Sequence, residues 1–307
     1  MNKEKHIVEP EAEELIPREY GEVFRELREM KGYSVPQAHR DDCDRKTLWN
    51  FEVGRTRISL ERFIKLLRNI RVSETEFFAA VNRYQLSESE IFFETVNEYY
   101  RDEDIPALKE ILEKQKKDYI NVGIAERNWN IFVLSGLINN LDSRFVVSEQ
   151  VIEASLDYLL AIDTWQMCDL RFFSHVLHFL NIRLSCSTVE SLIKSGEIFR
   201  SRGLRRKVFL GLLINIAHAA IEKNHLVEAR NFVDVAEMLF PHKAWTSWNL
   251  LGEHYSFKFL EGELKFVCGD ETGKSQMIEV IEHFSLLGQE KLGIMYQKCL
   301  DNLISCK

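Results

Sequence analysis

The chain has 307 residues, 45% of them hydrophobic and 29% charged, and a formal net charge of −8. This length exceeds one small domain, and the ordinary composition excludes a disordered or fibrous chain. The acidic average excludes nucleic-acid binding spread over the whole surface, while few turn-formers (14 Gly, 5 Pro) and no run of short alternating strands predict an all-α fold.

The charge is uneven along the chain. Residues 1–17 carry a net −3 and read as a polar N-terminal extension ended by Pro17. Residues 18–85 carry a net +3, and residues 86–307 a net −8. The basic excess therefore sits on one N-terminal segment, where it favours phosphate contacts.

Within that segment five short helices are expected. Tyr20, Val23, Phe24, Leu27 and Met30 share one face of the first helix, and Gly32 ends it. Ser34 caps a second helix with Pro36 in its first turn. A turn around Asp41 to Cys43 leads to a third helix, capped by Asp44 and running to about Glu52, with Leu48 and Phe51 facing inward. Ser59 caps a fourth helix, and Ser73 a fifth, where Glu76 at the third position predicts a capping box. The arrangement is that of a helix-turn-helix domain over 18–85, whose second motif helix enters the DNA major groove. Arg45, Lys46 and Thr47 occupy its first exposed turn: Arg and Lys suit guanine O6/N7, and a Thr methyl suits thymine. Asn50 lies one turn on, and Arg55 and Arg57 follow in a loop suited to phosphates.

From residue 86 one helical pattern follows another. Segments beginning at Arg171, Phe209 and Trp248 are alike and lie 38 and 39 residues apart; partners begin near Ser148, Ser187 and Leu226, again about 39 apart. Paired helices at this period predict a tetratricopeptide-like helical-repeat solenoid over 86–307, serving ligand binding and dimerisation. Gly262 and Gly273 are read as bracketing a longer loop. Polar residues inside the otherwise apolar first helices stand out as candidate peptide contacts: Arg171, His175, His178, Asn215, His218 and Asn249, with His254 beyond them. An Asn amide can bond both N–H and C=O of a peptide backbone, and Arg171 suits a carboxylate.

The six cysteines show no C-x-x-C pair and no metal-ligand spacing with His, so they read as free thiols. No Gly-rich phosphate loop, H-E-x-x-H or nucleophile elbow occurs; no catalytic residue, cofactor or metal is expected. The N-terminus lacks an apolar signal region, and the longest apolar stretch, near 209–221, is broken by Asn215 and His218. A cytoplasmic protein with no membrane partner is expected.

The order and spacing of several short motifs resemble the Rgg/GadR/MutR family of transcription regulators from Gram-positive bacteria. They are Phe24-Arg-Glu-Leu-Arg-Glu-Met-Lys-Gly-Tyr-Ser, Phe51-Glu-Val-Gly, Ile58-Ser-Leu-Glu-Arg-Phe and Val72-Ser-Glu-Thr-Glu-Phe. Further on come Asp163-Thr-Trp, Ile214-Asn-Ile, Phe259-Leu-Glu-Gly and Leu287-Gly. The resemblance implies a homodimer that binds double-stranded DNA and senses a short, secreted and re-imported signalling peptide on the concave face of its repeats. It places the family's ligand-contacting asparagine on Asn215, with neighbouring contacts near His175 and His178. The chain departs from the family pattern at His39, where Ala is usual, at Trp49, where Ser is usual, and at Val53, where Arg is usual. Two alternatives stay open: the same architecture answering to a small molecule or protein partner, and a helical-repeat scaffold with a vestigial DNA-binding domain.

Overall fold

A computed structural model describes residues 20–86, 88–122, 125–142, 144–240 and 250–305. The expected polar extension 1–17 and the candidate Asn249 lie outside them. The described residues form helices and no strand, and the chain divides into two compact units, Met1–Glu94 and Thr95–Lys307.

The first unit is a bundle of α1 (Tyr20–Met30), α2 (Val35–His39), α3 (Arg45–Glu52), α4 (Leu60–Asn69) and α5 (Glu74–Val81). Its core gathers Val23, Phe24 and Leu27 of α1 with Leu48 and Phe51 of α3, Phe63, Leu66 and Leu67 of α4, and Phe77 of α5. Tyr20 and Met30, expected on the same apolar face, are exposed at the two ends of α1. Edge-on aromatic contacts, Phe63–Phe77 at 4.7 Å and Phe51–Phe63 at 6.0 Å between centroids, tie α3, α4 and α5 together. Gly32 takes φ +74° and turns the chain out of α1, a conformation that costs a residue with Cβ.

The caps differ in detail from the expectation. Ser73 Oγ accepts the Glu76 N–H at 3.1 Å, which is half of a capping box. The Glu76 carboxylate pairs instead with Lys31 Nζ at 3.2 Å, because an ammonium lies within its reach across the bundle. Gln37 Oε1 accepts both the N–H and the hydroxyl of Ser34, at 2.8 and 2.9 Å.

The second unit continues from α6 (Glu88–Arg101), which runs across the division, through α7 (Ile105–Val122), α8 (Ala125–Leu141), α9 (Glu149–Leu160) and α10 (Met167–Val176). Next come α11 (Ile182–Lys194), the short α12 (Glu197–Arg200), α13 (Gly203–Glu222) and α14 (Leu226–Leu239). The last are α15 (Leu251–Val267), α16 (Thr272–Leu286) and α17 (Glu290–Ser305). The helices α8, α10, α13 and α15 pack successively side by side as an inner layer, while α9, α14 and α16 each lie against their inner neighbours. This is the stacking of helical pairs in a repeat solenoid.

Two glycine sites set the spacing of these layers. A Cβ on Gly136 of α8 would stand 2.1 Å from the His175 carbonyl oxygen, so the two inner helices touch backbone to backbone. Gly262 and Gly273, read as flanking a long loop, lie inside α15 and α16. A Cβ on Gly273 would sit 2.2 Å from the Gly262 carbonyl oxygen. The two glycines are therefore the crossing point of a helix hairpin, and only Cys268–Glu271 connect the helices.

Candidate functional site

The helix α13 is apolar nearly all round, as befits an element packed on three sides. Phe209, Leu210, Leu212, Leu213, Ile214, Ile216 and Ala217 are all buried. Beyond its first turn and Val208, the residues that escape burial form one narrow stripe, Lys207, Gly211, Asn215, His218 and Glu222, at spacings of three and four. On the adjacent α10, Arg171, Ser174 and His175 form a similar stripe, which His178 prolongs. Arg171, Ser174, His175, Lys207, Gly211, Asn215 and Glu253 line one open cleft of about 260 Å³. Three of the expected ligand residues, Arg171, His175 and Asn215, thus meet at one place.

Charges are set along this groove. Arg171 makes no ion pair among the described residues. Lys207 Nζ reaches across from α13 to Glu253 Oε1 of α15 at 3.2 Å, while the second Glu253 oxygen is buried without a hydrogen bond. Burial, and then the neighbouring Arg171, push the His175 imidazole down to about 4. Burial, then His175 and His218, do the same to His178, again to about 4. Both rings are neutral at pH 7, because the crowded wall disfavours a cation. Asn140 Nδ2 donates to His178 Nδ1 at 3.1 Å, and the Tyr100 hydroxyl donates to Asn140 Oδ1, which fixes the amide and leaves the His178 ring proton on Nε2.

His218 behaves oppositely. Burial opposes its charge, but the Glu263 carboxylate bonded to its Nδ1, with Glu222 nearby, outweighs that and raises the imidazole above its ordinary value. Glu222 is itself raised, first by burial and then by Glu263, against the opposing pull of His218. Further along, burial and the carboxylates Glu263, Glu222 and Glu103 push the Cys299 thiol up to about 11. Lys298 Nζ bonds both Glu103 oxygens, at 2.6 and 2.7 Å, and Lys291 pairs with Asp102, so α17 is tied to the turn after α6. His254 departs from the set: it is exposed and lies edge-on against Phe240 at 5.2 Å, on another face of α15.

The second candidate surface is the outward face of α3. Arg45 and Lys46 are exposed, Asn50 is half-buried beside them, and Arg55 and Arg57 are exposed beyond the helix. Thr47 spends its hydroxyl on the cap: Oγ1 donates to Asp44 Oδ2 at 2.7 Å, while Asp44 Oδ1 accepts the Thr47 N–H at 2.8 Å. The guanidinium of Arg55 lies 4.7 Å over the Trp49 ring. Below this face a buried pair holds the helix: Arg28 Nε and Nη2 donate to the two oxygens of Glu52 at 2.6 and 2.9 Å. A Cβ on Gly21 would stand 1.7 Å from the Phe51 carbonyl oxygen, so α1 and α3 cross with backbones in contact.

Sequence reasoning missed Glu253 and Lys207 on the cleft, and Glu263, Glu222 and Asn140 as partners of His218 and His178. Glu222 and Lys207 carried a usable signal, since they continue the Asn215–His218 spacing toward both ends of α13. Glu253, Glu263 and Asn140 carried none, because charged and amide residues on a repeat helix ordinarily mark its solvated face.

Residues 108–298 match the profile of the C-terminal domain of the HTH-type transcriptional regulator Rgg. Among solved structures, the chain is similar to a candidate transcriptional regulator from Listeria monocytogenes: TM-score 0.77, 20% identity, 94% of this chain and 98% of the other. It is similar to the SHP pheromone receptor Rgg2 of Streptococcus dysgalactiae: TM-score 0.72, 19% identity, 92% and 99% covered. The PrgX/cCF10 complex gives TM-score 0.67, 15% identity, and 94% and 92% covered.

Proposed function

The chain belongs to the Rgg family of helix-turn-helix transcriptional regulators, and on that premise we propose that it binds DNA through α3 and a short signalling peptide through the groove of its repeats. The observation that carries the peptide reading is the polar stripe of α13. A helix buried over most of its surface leaves Asn215 on an open cleft beside Arg171, which makes no ion pair among the described residues, with His218 further along the same stripe. An amide there exchanges water for the backbone of any extended peptide, and a guanidinium fits a carboxylate. Asn215 would hold the peptide main chain, Arg171 its carboxylate, and His175, His178 and His218 its flanks. The similar Rgg2 structure is that of a pheromone receptor, which supports this reading.

In the first unit, Arg45, Lys46 and Asn50 would face base edges, with Arg55 and Arg57 on phosphates. The protein would act as a homodimer, which doubles the few phosphate contacts available to one bundle. The test uses the full chain and labelled peptides encoded by short reading frames beside its gene. Fluorescence anisotropy should find one that binds, Asn215→Ala and Arg171→Gln should weaken it at least tenfold, and its addition should alter a DNA mobility shift. No binding by any such peptide, or unchanged affinity in both variants, would overturn the peptide reading.

A further inference from the structure

The outward face of α3 holds a residue that the reading above does not use. Arg45, Trp49 and Val53 stand at i, i+4 and i+8 on one row, flanked by Lys46 and Asn50. Trp49 is 45% exposed, the largest apolar surface on that helix. Arg55 covers part of it by stacking, and Arg55 is itself held: its N–H donates to the Asn50 carbonyl at 2.8 Å, and Gly54 at φ +73° turns the chain back over the helix end. The indole is thus set in place before any ligand arrives, which lowers the ordering cost of docking it.

We infer that Trp49, steadied by Arg55, reads the C5 methyl of a thymine in the major groove and sets the sequence preference of this regulator; the inference rests on the DNA-binding reading of α3. Among base edges in that groove, the thymine methyl is the one apolar feature. An indole offers a broad apolar face and a single N–H donor, so it has little to give guanine or adenine edges. Thr47, the residue type first suited to thymine, is half-buried with its hydroxyl bound to Asp44 and points less freely from the helix. The surroundings of Trp49 argue against self-association through this face. Arg45, Lys46 and Arg55 are exposed around it, and a second copy would set these cations against one another.

The experiment selects preferred sites from a random duplex pool with the full-length protein. Each thymine of the enriched site is then replaced by deoxyuridine, which lacks only the methyl. For the wild-type protein at least one thymine per half-site should show about fourfold weaker binding as uracil, the effect of about one methyl group removed from water. In Trp49→Ala the thymine and uracil duplexes should bind alike at that position, while Arg45→Ala keeps the difference. Trp49→Phe and Arg55→Gln should retain part of it, and thermal melting should show all four variants folded. If Trp49→Ala keeps the full thymine preference, or alters only the oligomeric state by light scattering, the inference is overturned and the DNA reading stands. If the wild-type protein enriches no sequence at all, both fall together.

Discussion

In the N-terminal unit the Arg28–Glu52 pair is closed on every side, whereas in the repeat unit Lys207–Glu253 stands on the wall of an open cleft. The side chains of Arg28 and Glu52 are 7% and 2% exposed, and Arg28 also donates to Glu29 and to the Tyr33 carbonyl. Every direction of the guanidinium is used, so the pair can do nothing but hold α3 against α1. In the groove the polar groups are partly open and unequally matched. Arg171 has no ion-pair partner among the described residues, and Glu253 keeps a buried oxygen without a hydrogen bond. The difference teaches that a polar residue in a helical core is read by its leftover valence. A saturated group is structural, and an unsaturated one beside an opening is a binding wall.

The largest effect expected follows from the saturated pair. Glu52→Gln leaves the buried guanidinium with only the exposed Glu29 carboxylate beside it, and breaking such a buried pair costs about 3–5 kcal/mol. Urea unfolding of the full chain should show the N-terminal transition moved to much lower denaturant, with peptide affinity of the groove unchanged. A shift below about 1 kcal/mol would mean that the pair is solvated and the contrast between the units is false.

How much of this was legible in the sequence follows the same division. The bundle declares itself locally, because Ser34, Asp44, Ser59 and Ser73 each precede a helix and Gly32 ends one. The solenoid was legible as a period of similar segments. Asn215 and His218 could be picked out because a lone polar residue in an apolar helix is conspicuous. What stayed hidden lies between distant segments. Nothing near Glu263 announces His218, and nothing near Asn140 announces His178 or Tyr100. The Gly262–Gly273 crossing looked like a loop because glycine signals both turns and close helix approach, and only the partner backbone distinguishes them. Arg55 looked like a free loop cation because its stacking on Trp49 depends on the chain reversing at Gly54.

A smaller effect tests whether the groove depends on its inner layer. Gly136→Ala places a methyl against the His175 backbone, and overpacking of this kind costs about 1–3 kcal/mol. To relieve it α8 and α10 must separate, which moves His175 and Arg171 relative to Asn215. We expect peptide affinity to fall by more than tenfold in anisotropy titrations, although Gly136 itself is buried and touches no ligand. Unchanged affinity alongside the loss of stability would show that the cleft tolerates movement of its wall.

Two asparagines sharpen the comparison directly. Asn69 is buried in the bundle and donates to the Ala38 carbonyl at 2.9 Å and to Asp42 at 2.8 Å. Asn215 faces the cleft. Asn69→Ala leaves a buried acceptor unsatisfied and should cost about 1–3 kcal/mol. Asn215→Ala should leave the melting temperature within a degree or two of wild type, since surface changes away from packed features stay within about 0.5 kcal/mol. Equal destabilisation by the two would mean that Asn215 is a core group and that its part in ligand binding is indirect.

The smallest effect is a pH dependence of opposite sign at neighbouring imidazoles. His175 and His178 are depressed to about 4 from an ordinary 6.5, by burial first and then by Arg171 in one case and by His175 and His218 in the other. A depressed imidazole resists protonation in the folded state and accepts it readily when unfolded. The stability that goes with these neutral rings is therefore complete above pH 6.5 and lost as pH falls toward about 4. His218 is raised, since Glu263 and Glu222 outweigh the burial that opposes its charge. Its contribution is complete below the unfolded value and lost as pH rises through the higher folded one. Denaturation midpoints measured from about pH 8 to about pH 4 should separate the two. His175→Gln and His178→Gln should flatten the acid limb. His218→Gln should cost most at the acid end and least at the alkaline end. If all three variants alter the profile in the same direction, then Glu263 does not hold His218 charged, and the groove wall is electrically uniform.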